Sequence, residues 1–338
     1  MGSVYLEACN GLRCMVSNLL RLIILGAVGF YFTPEPVIAA ENQTLVLGSG
    51  GKGGVYLPAG RAICKYTNAT KAKSGLTCNT KTSAGSVTNV RALRAGKAQI
   101  GIAQSDVVYD SFQGTADFKK EGPYKDLRVL FALRSEPFTL VVQARSGIQK
   151  ISDLVGKRVN IGALGSGHRE TVDTLSLVKG WKQNTFSETL ELAPAAGVKA
   201  FCNGQVDAIA LTVGHPSQLI KQMTNSCGGR LINTVDEDVG VLIKKLPYYS
   251  KVRIPSGLYK DVMRNIGSFG PSANVVASAK ISDKTAYWIV KSVFENFDKF
   301  KNSHQALKYL DKKEMVSNSL SGLLHPGALS YFKEVGLK

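Results

Sequence analysis

The sequence predicts an α/β protein built as two similar lobes around a cleft. Three observations point there. Short apolar runs alternate with amphipathic stretches, glycine-rich turns follow several of the apolar runs, and one strand–turn–helix pattern occurs twice. A length of 338 residues suits about two domains at ~150 residues each. A hydrophobic fraction of 44% is ample for a packed core, and the 34 glycines fall in short clusters that read as turns.

Thr44 to Leu47 reads as a buried strand, Gly48 to Gly54 as a turn, and Val55 to Tyr66 as a helix with Leu57, Ile63 and Tyr66 at helical spacing. Val87 to Ala95 reads as a second helix. Ile100 to Ala103, Val129 to Leu133 and Thr139 to Gln143 read as strands, and the alternation implies largely parallel sheets. The first glycine turn has a counterpart where Arg158 to Ile161 runs into Gly162 to Gly167. Gly96 to Gln104 likewise matches Gly204 to Thr212: a glycine after a helix end, a short link, and a buried strand ending in a polar residue. Ligands of open α/β sheets sit beyond the carboxyl ends of the strands. That rule gathers both glycine turns, Gln104 and Thr212 around one cleft.

The N-terminus reads as an export signal. Arg13 and Arg21 precede an apolar stretch from Leu22 to Phe32, followed by Pro34, Pro36, the small pair Ala39-Ala40 and polar Glu41-Asn42. The stretch is short for a membrane span, which needs ~20 residues. Met15 would start a signal of conventional length, so 1–40 is the signal segment and 15–40 its natural form. The mature chain is expected in the periplasm. It keeps Cys64, Cys78, Cys202 and Cys227, an even number suited to an oxidising compartment. Three pairings are open to four cysteines. Cys64–Cys78 and Cys202–Cys227 are the economical choice, each within one unit, and the absence of Cys-x-x-Cys or His spacing disfavours zinc.

The formal net charge is +17, and removing the leader leaves it unchanged because Arg13 and Arg21 balance Glu7 and Glu35. The basic residues are scattered, without a long basic run, zinc finger or RNA-binding aromatic motif, so nucleic acid is not expected. A solvated basic surface is the plain reading.

Gly48-Ser49-Gly50-Gly51-Lys52-Gly53 fits G-x-G-x-x-G between a strand and a helix. A dinucleotide is disfavoured, since Thr67 to Lys73 supply no acid where one is needed ~20 residues on. A P-loop fails because Gly53, not Ser or Thr, follows Lys52. What remains is a turn whose N–H groups face a ligand's negative end. Gly165-Ser166-Gly167-His168-Arg169 misses G-x-S-x-G and reads as a second such helix start. Ser166 and Thr171 would donate, and Arg169 either pairs with a ligand carboxylate or points to solvent. His215, at a strand end before Pro216, either donates to ligand or caps the next helix. Trp181 and Trp288 look like packing residues. No cofactor or metal is implied, and no nucleophile–base pair supports an enzyme.

In this order the motifs resemble the TAXI subfamily of periplasmic substrate-binding proteins that serve TRAP-type transporters. The markers are Gly53-Gly54-Val55-Tyr56, 83–89, Leu93-Arg94-Ala95-Gly96, Gln104-Ser105-Asp106, Glu136-Pro137-Phe138-Thr139, 153–159, Gly165-Ser166-Gly167 and Val213-Gly214-His215-Pro216. The resemblance implies a type II periplasmic-binding-protein fold: two α/β lobes joined by two crossing strands near 137–142 and 270–277. Lobe 1 would span 41–138 plus 278–338, and lobe 2 139–277. It implies a monomer that captures a small organic acid or amino acid, glutamate- or glutamine-like, for a TRAP transporter subunit. Gly53, Gly54 and Tyr56 would meet one end of the ligand, with Ser83, Ser86 and Asn89 adding hydrogen bonds. Gln104 and Asp106 would line the strand end, Asp106 facing a ligand ammonium. Ser166, Gly167, Arg169 and Thr171 would form the second lobe's anion site, and His215 would sit at the rim. A ligand sensor for a signalling partner is the alternative. An adjacent kinase gene rather than a transporter gene would mark it.

Overall fold

A computed structural model describes residues 42–318 and 323–338, and the export signal lies outside the described residues. Residues 41–338 form one compact unit. Its frame is two five-stranded sheets of the same plan.

The first sheet has the order β2-β1-β3-β12-β4, with β1 at Gln43–Gly48, β2 at Leu76–Lys81, β3 at Ile100–Gln104, β4 at Leu127–Ser135 and β12 at Ser272–Ser278. The second has the order β7-β6-β8-β5-β9, with β5 at Phe138–Gln143, β6 at Arg158–Asn160, β7 at Glu188–Leu190, β8 at Ala208–Thr212 and β9 at Gly229–Leu231. The parallel strands β2, β1 and β3 match β7, β6 and β8, which is the repeat legible in the glycine turns. The sheets are mixed rather than largely parallel. In each, the fourth strand, β12 or β5, runs antiparallel to its neighbours. The cause is connectivity: β5 enters from the first sheet, and β12 enters from a separate pair, β10 at Ser250–Ile254 and β11 at Ile266–Gly270. The chain crosses at Glu136-Pro137 and returns at Pro271, after the β10–β11 pair.

Central strands β3 and β8 are buried along their whole length, as expected where helices cover both faces. Helix α1 (Tyr56–Ala69) presents Leu57, Ala59, Ala62, Ile63 and Tyr66 to the core, and α2 (Ser86–Arg94) presents Val87, Val90 and Leu93. Helix α3 (Ser105–Gln113) follows β3 directly. In the second lobe α4 (Gly167–Lys179) starts at Ser166, whose Oγ accepts from Arg169 N, and ends at Gly180 in the left-handed region. Helix α5 (Pro194–Cys202) opens on proline, which lacks the N–H that a first turn leaves unpaired. Helix α6 (Gln218–Ser226) follows. Trp181 packs edge-on to Phe186 and Trp288 to Tyr287, as packing residues do.

Disulfides join Cys64 to Cys78 and Cys202 to Cys227. The first ties α1 to the edge strand β2. The second ties the end of α5 to the turn after α6, so no covalent bridge crosses between sheets. Closing a loop of 25 residues contributes about 3 kcal/mol in the chain-entropy model. Replacing Cys202 and Cys227 together by serine is therefore expected to lower unfolding free energy by about 3 kcal/mol, measured by urea titration. Non-reducing peptide mapping should recover both bridges.

Candidate functional site

Four helices begin at one place. The turns after β1, β2, β6 and β7 lead into α1, α2, α4 and α5, and the first residues of these helices, Tyr56, Ser86, Gly167 and Pro194, line one cleft between the sheets. The cleft holds about 560 Å³ of non-protein space, counting its opening to solvent. Helix starts carry partial positive charge and unpaired N–H groups. The N–H groups of Gly167 and His168 have no hydrogen-bond partner among the described residues. No Lys or Arg lines the cleft, so its attraction for an anion comes from backbone.

The ionisable groups inside are few. Glu136, in the crossing segment, is buried and accepts from the Tyr56 hydroxyl at 2.6 Å. Burial pushes its carboxyl up to about 8, against the lowering effect of that hydrogen bond and of Arg134. His168 accepts from Thr212 N–H through Nδ1 at 3.1 Å. Burial holds its pKa down to about 4, so the ring is neutral and Nε2 carries the proton. Thr212 is buried at the end of β8, and its Oγ1 has no partner among the described residues. That hydroxyl is free for a ligand.

Of the residues expected at the ligand, Gly54, Tyr56, Ser83, Ser86, Gln104 and Gly167 line the cleft. The others are placed differently. Arg169 turns away: its Nε lies 2.8 Å from both Asp173 oxygens, and Nη1 pairs with Glu191. Its spacing of four from Asp173 was a legible sign of a helix-surface pair. His215 is buried behind the cleft, with Nε2 2.8 Å from Thr139 Oγ1 and Nδ1 2.6 Å from the Tyr259 hydroxyl. Burial first, then Arg134, lowers it to about 3, so it ties strand to loop as a neutral ring. Asn89 is structural, its Nδ2 donating to Ser49 O and Ile102 O at 2.6 and 2.8 Å. Gly53 (φ 87°) packs against Leu219 of the second lobe. Ser166 caps α4, donating to Ala163 O at 2.6 Å.

Asp106 and Thr171 are not cleft residues but a seam between lobes. Asp106 Oδ2 accepts from the Tyr249 hydroxyl at 2.8 Å and lies 3.1 Å from Thr171 Oγ1, which also accepts from Gln104 Nε2 at 3.2 Å. Burial raises Asp106 to about 6. Nearby, Thr88 N–H donates to Gly165 O at 3.2 Å, and Ser105 Oγ to Tyr248 O at 2.9 Å. At Gly167 the lobes nearly touch: a Cβ there would overlap Gln104 Oε1 and stand 2.7 Å from Ser86 Oγ. These contacts describe a closed arrangement.

Two sheets of order 2-1-3-n-4, two crossings and a cleft at the helix starts define the type II periplasmic-binding-protein fold. The chain matches the NMT1-like family over residues 47–336 and belongs to that family. This corrects the TAXI assignment, and the TRAP partner drawn from it falls with it. The short markers behind that assignment are glycine turns and strand ends, which the fold itself demands. A solved protein of Bordetella bronchiseptica RB50 superposes with a TM-score of 0.51 at 19% identity, covering 86% of this chain and 82% of that one. The alkanesulfonate-binding protein SsuA of Xanthomonas axonopodis pv. citri, bound to MOPS, gives a TM-score of 0.47 at 18% identity over 87% and 85% of the two chains.

Gly167→Ala is expected to hold the lobes apart. Calorimetry should show at least a tenfold loss of ligand affinity, about 1.4 kcal/mol or more, and small-angle scattering should show no compaction on adding ligand. Asp106→Ala removes the acceptor of Tyr249 and Thr171. It should speed ligand release several-fold in stopped-flow measurements, because the seam rather than the ligand loses its bonds.

Proposed function

We propose that this chain is an extracytoplasmic solute-binding protein that closes on a small amino acid and delivers it to a membrane transporter. The observation that supports it is the make-up of the cleft: four helix starts, one buried carboxylate, and no Lys or Arg. Helix starts suit a carboxylate. Glu136, once ionised, suits an ammonium group, and a ligand without one leaves it protonated and without an ionic partner. The disulfides fit an oxidising compartment outside the cytoplasm.

The binding sequence follows from these groups. The α-carboxylate takes the free N–H groups of Gly167 and His168, with Ser86 and Thr212 hydroxyls and His168 Nε2–H as further donors. The ammonium displaces the proton of Glu136 and pairs with the carboxylate that Tyr56 orients. Closure over the ligand removes water from these contacts and strengthens them. The Asp106 seam and the Gly167 approach then lock the lobes, and the closed shape is what a transporter would recognise.

Calorimetry against L-glutamate, L-glutamine and amine-free 2-oxoglutarate tests the reading. An amino acid should bind at least tenfold more tightly than 2-oxoglutarate, and Glu136→Gln should abolish that preference. The pH sign is fixed by Glu136, which is protonated below about 8 and must ionise to take the ammonium. Affinity for the amino acid should therefore rise from pH 6 to pH 8 and then level, and Glu136→Gln should flatten the slope. Tighter binding of 2-oxoglutarate, unchanged by Glu136→Gln, would sink the amino-acid assignment.

A further inference from the structure

Among the described residues no Lys or Arg lines the cleft, and the positive charge of the chain is not evenly spread. From residue 42 to residue 105 there is no Asp or Glu, while nine residues are Lys or Arg. The fold gathers that segment into β1, α1, β2, α2 and β3 of the first lobe. Two of the nine are engaged: Arg91 pairs with Asp117 and Glu121, and Arg94 donates to backbone carbonyls of 121–123. The rest, Lys52, Arg61, Lys65, Lys71, Lys73, Lys81 and Lys97, are exposed and form no ion pair among the described residues.

Five of them, Arg61, Lys65, Lys71, Lys73 and Lys81, lie along one edge. Strand β2 is the outer strand of its sheet, and α1 is fastened to it by Cys64–Cys78 and by Asn68, whose side chain bonds both backbone groups of Cys78. Arg61 and Lys65 stand one turn apart on the exposed side of α1. Lys71 and Lys73 occupy the short helical turn between α1 and β2, and Lys81 ends β2. Lys52 directly follows lining residue Gly51, and Lys81 stands two residues before lining residue Ser83.

The composition selects the kind of partner. Stereospecific protein interfaces are anchored by Trp, Tyr and Arg in dry pockets and are poor in Lys. Here the cations are six Lys and one Arg, and the exposed large hydrophobic residues, such as Leu177 and Met263, all lie outside 42–105. A broad, Lys-rich field whose own segment carries no acid and no exposed apolar anchor matches a broad field of the opposite sign. We propose that this edge of the first lobe adsorbs to an anionic phospholipid surface. Adsorption would keep the cleft mouth close to the membrane that holds the transporter.

The test uses the 41–338 unit and co-sedimentation with vesicles of phosphatidylcholine alone or with about a third phosphatidylglycerol. One variant carries Arg61→Gln, Lys65→Gln, Lys71→Gln and Lys73→Gln. A second has the same net charge through Lys244→Gln, Lys245→Gln, Lys299→Gln and Lys313→Gln, all exposed elsewhere. Circular dichroism melting checks that both fold. The parent should pellet with phosphatidylglycerol vesicles at low salt, stay free of neutral vesicles, and be released by 0.5 M salt, roughly as screening requires. The first variant should bind at least tenfold more weakly than the parent, and the second within about twofold of it. Equal loss in both variants would mean net charge alone acts, and equal binding to neutral vesicles would remove the electrostatic basis. Either overturns the proposal, as does tighter capture by polyglutamate than by the vesicles, which would reassign the edge to an acidic protein.

Discussion

The two lobes can meet because one residue has no side chain. At Gly167 the start of α4 approaches Gln104 and Ser86 of the other lobe so closely that a methyl group has no room. Everything in the cleft depends on that approach. It brings the N-termini of α4 and α5 to face those of α1 and α2, it seats Thr171 beside Asp106 and Gln104, and it shuts water away from Glu136. A cleft lined by helix starts is weakly attractive to anions when wet and strongly so when dry. Close packing at a single glycine is thus the condition for the electrostatics.

Among the described residues that line the cleft Glu136 is the one acid, and no Lys or Arg stands with it. Glu136 is held by Tyr56 and desolvated, so in the unliganded cleft it keeps its proton to about pH 8. The backbone field and the carboxyl act in opposite senses, one drawing a negative end inward and the other a positive one. A ligand with both ends satisfies both. A ligand with only one leaves either the helix starts or the carboxyl without a partner.

Much of the frame was legible in the sequence. Apolar runs placed β1, β3, β4 and β5 within a residue or two at most boundaries, because buried strands flanked by glycine turns have few other readings. The repeat was visible because 48–54 and 162–167 perform the same task in each lobe. The site was legible where local rules apply: Tyr56, Ser86 and Gly167 are helix starts, and Gln104 is a strand end. It was not legible where distant residues decide. Asp106 meets Tyr249 across 143 positions, and His215 meets Tyr259 across 44, so nothing local distinguishes either from a ligand contact. In the sequence Glu136 stands within the motif Glu136-Pro137-Phe138-Thr139, with no neighbouring acid to mark it. A lone acid between two strands that read as buried was a signal of function in itself.

The two crossings are short and each contains a proline. Only Glu136 and Pro137 lie between β4 and β5, only Pro271 between β11 and β12, and Glu136 N–H donates to Pro271 O at 2.8 Å. Proline fixes one backbone torsion, so little rotational play remains at the pivot. The connection between the two sheets is thereby narrow, and Glu136, the acid that lines the cleft, stands on it. A ligand held by Glu136 would therefore be anchored at the pivot, the part of the cleft that moves least when the rims approach.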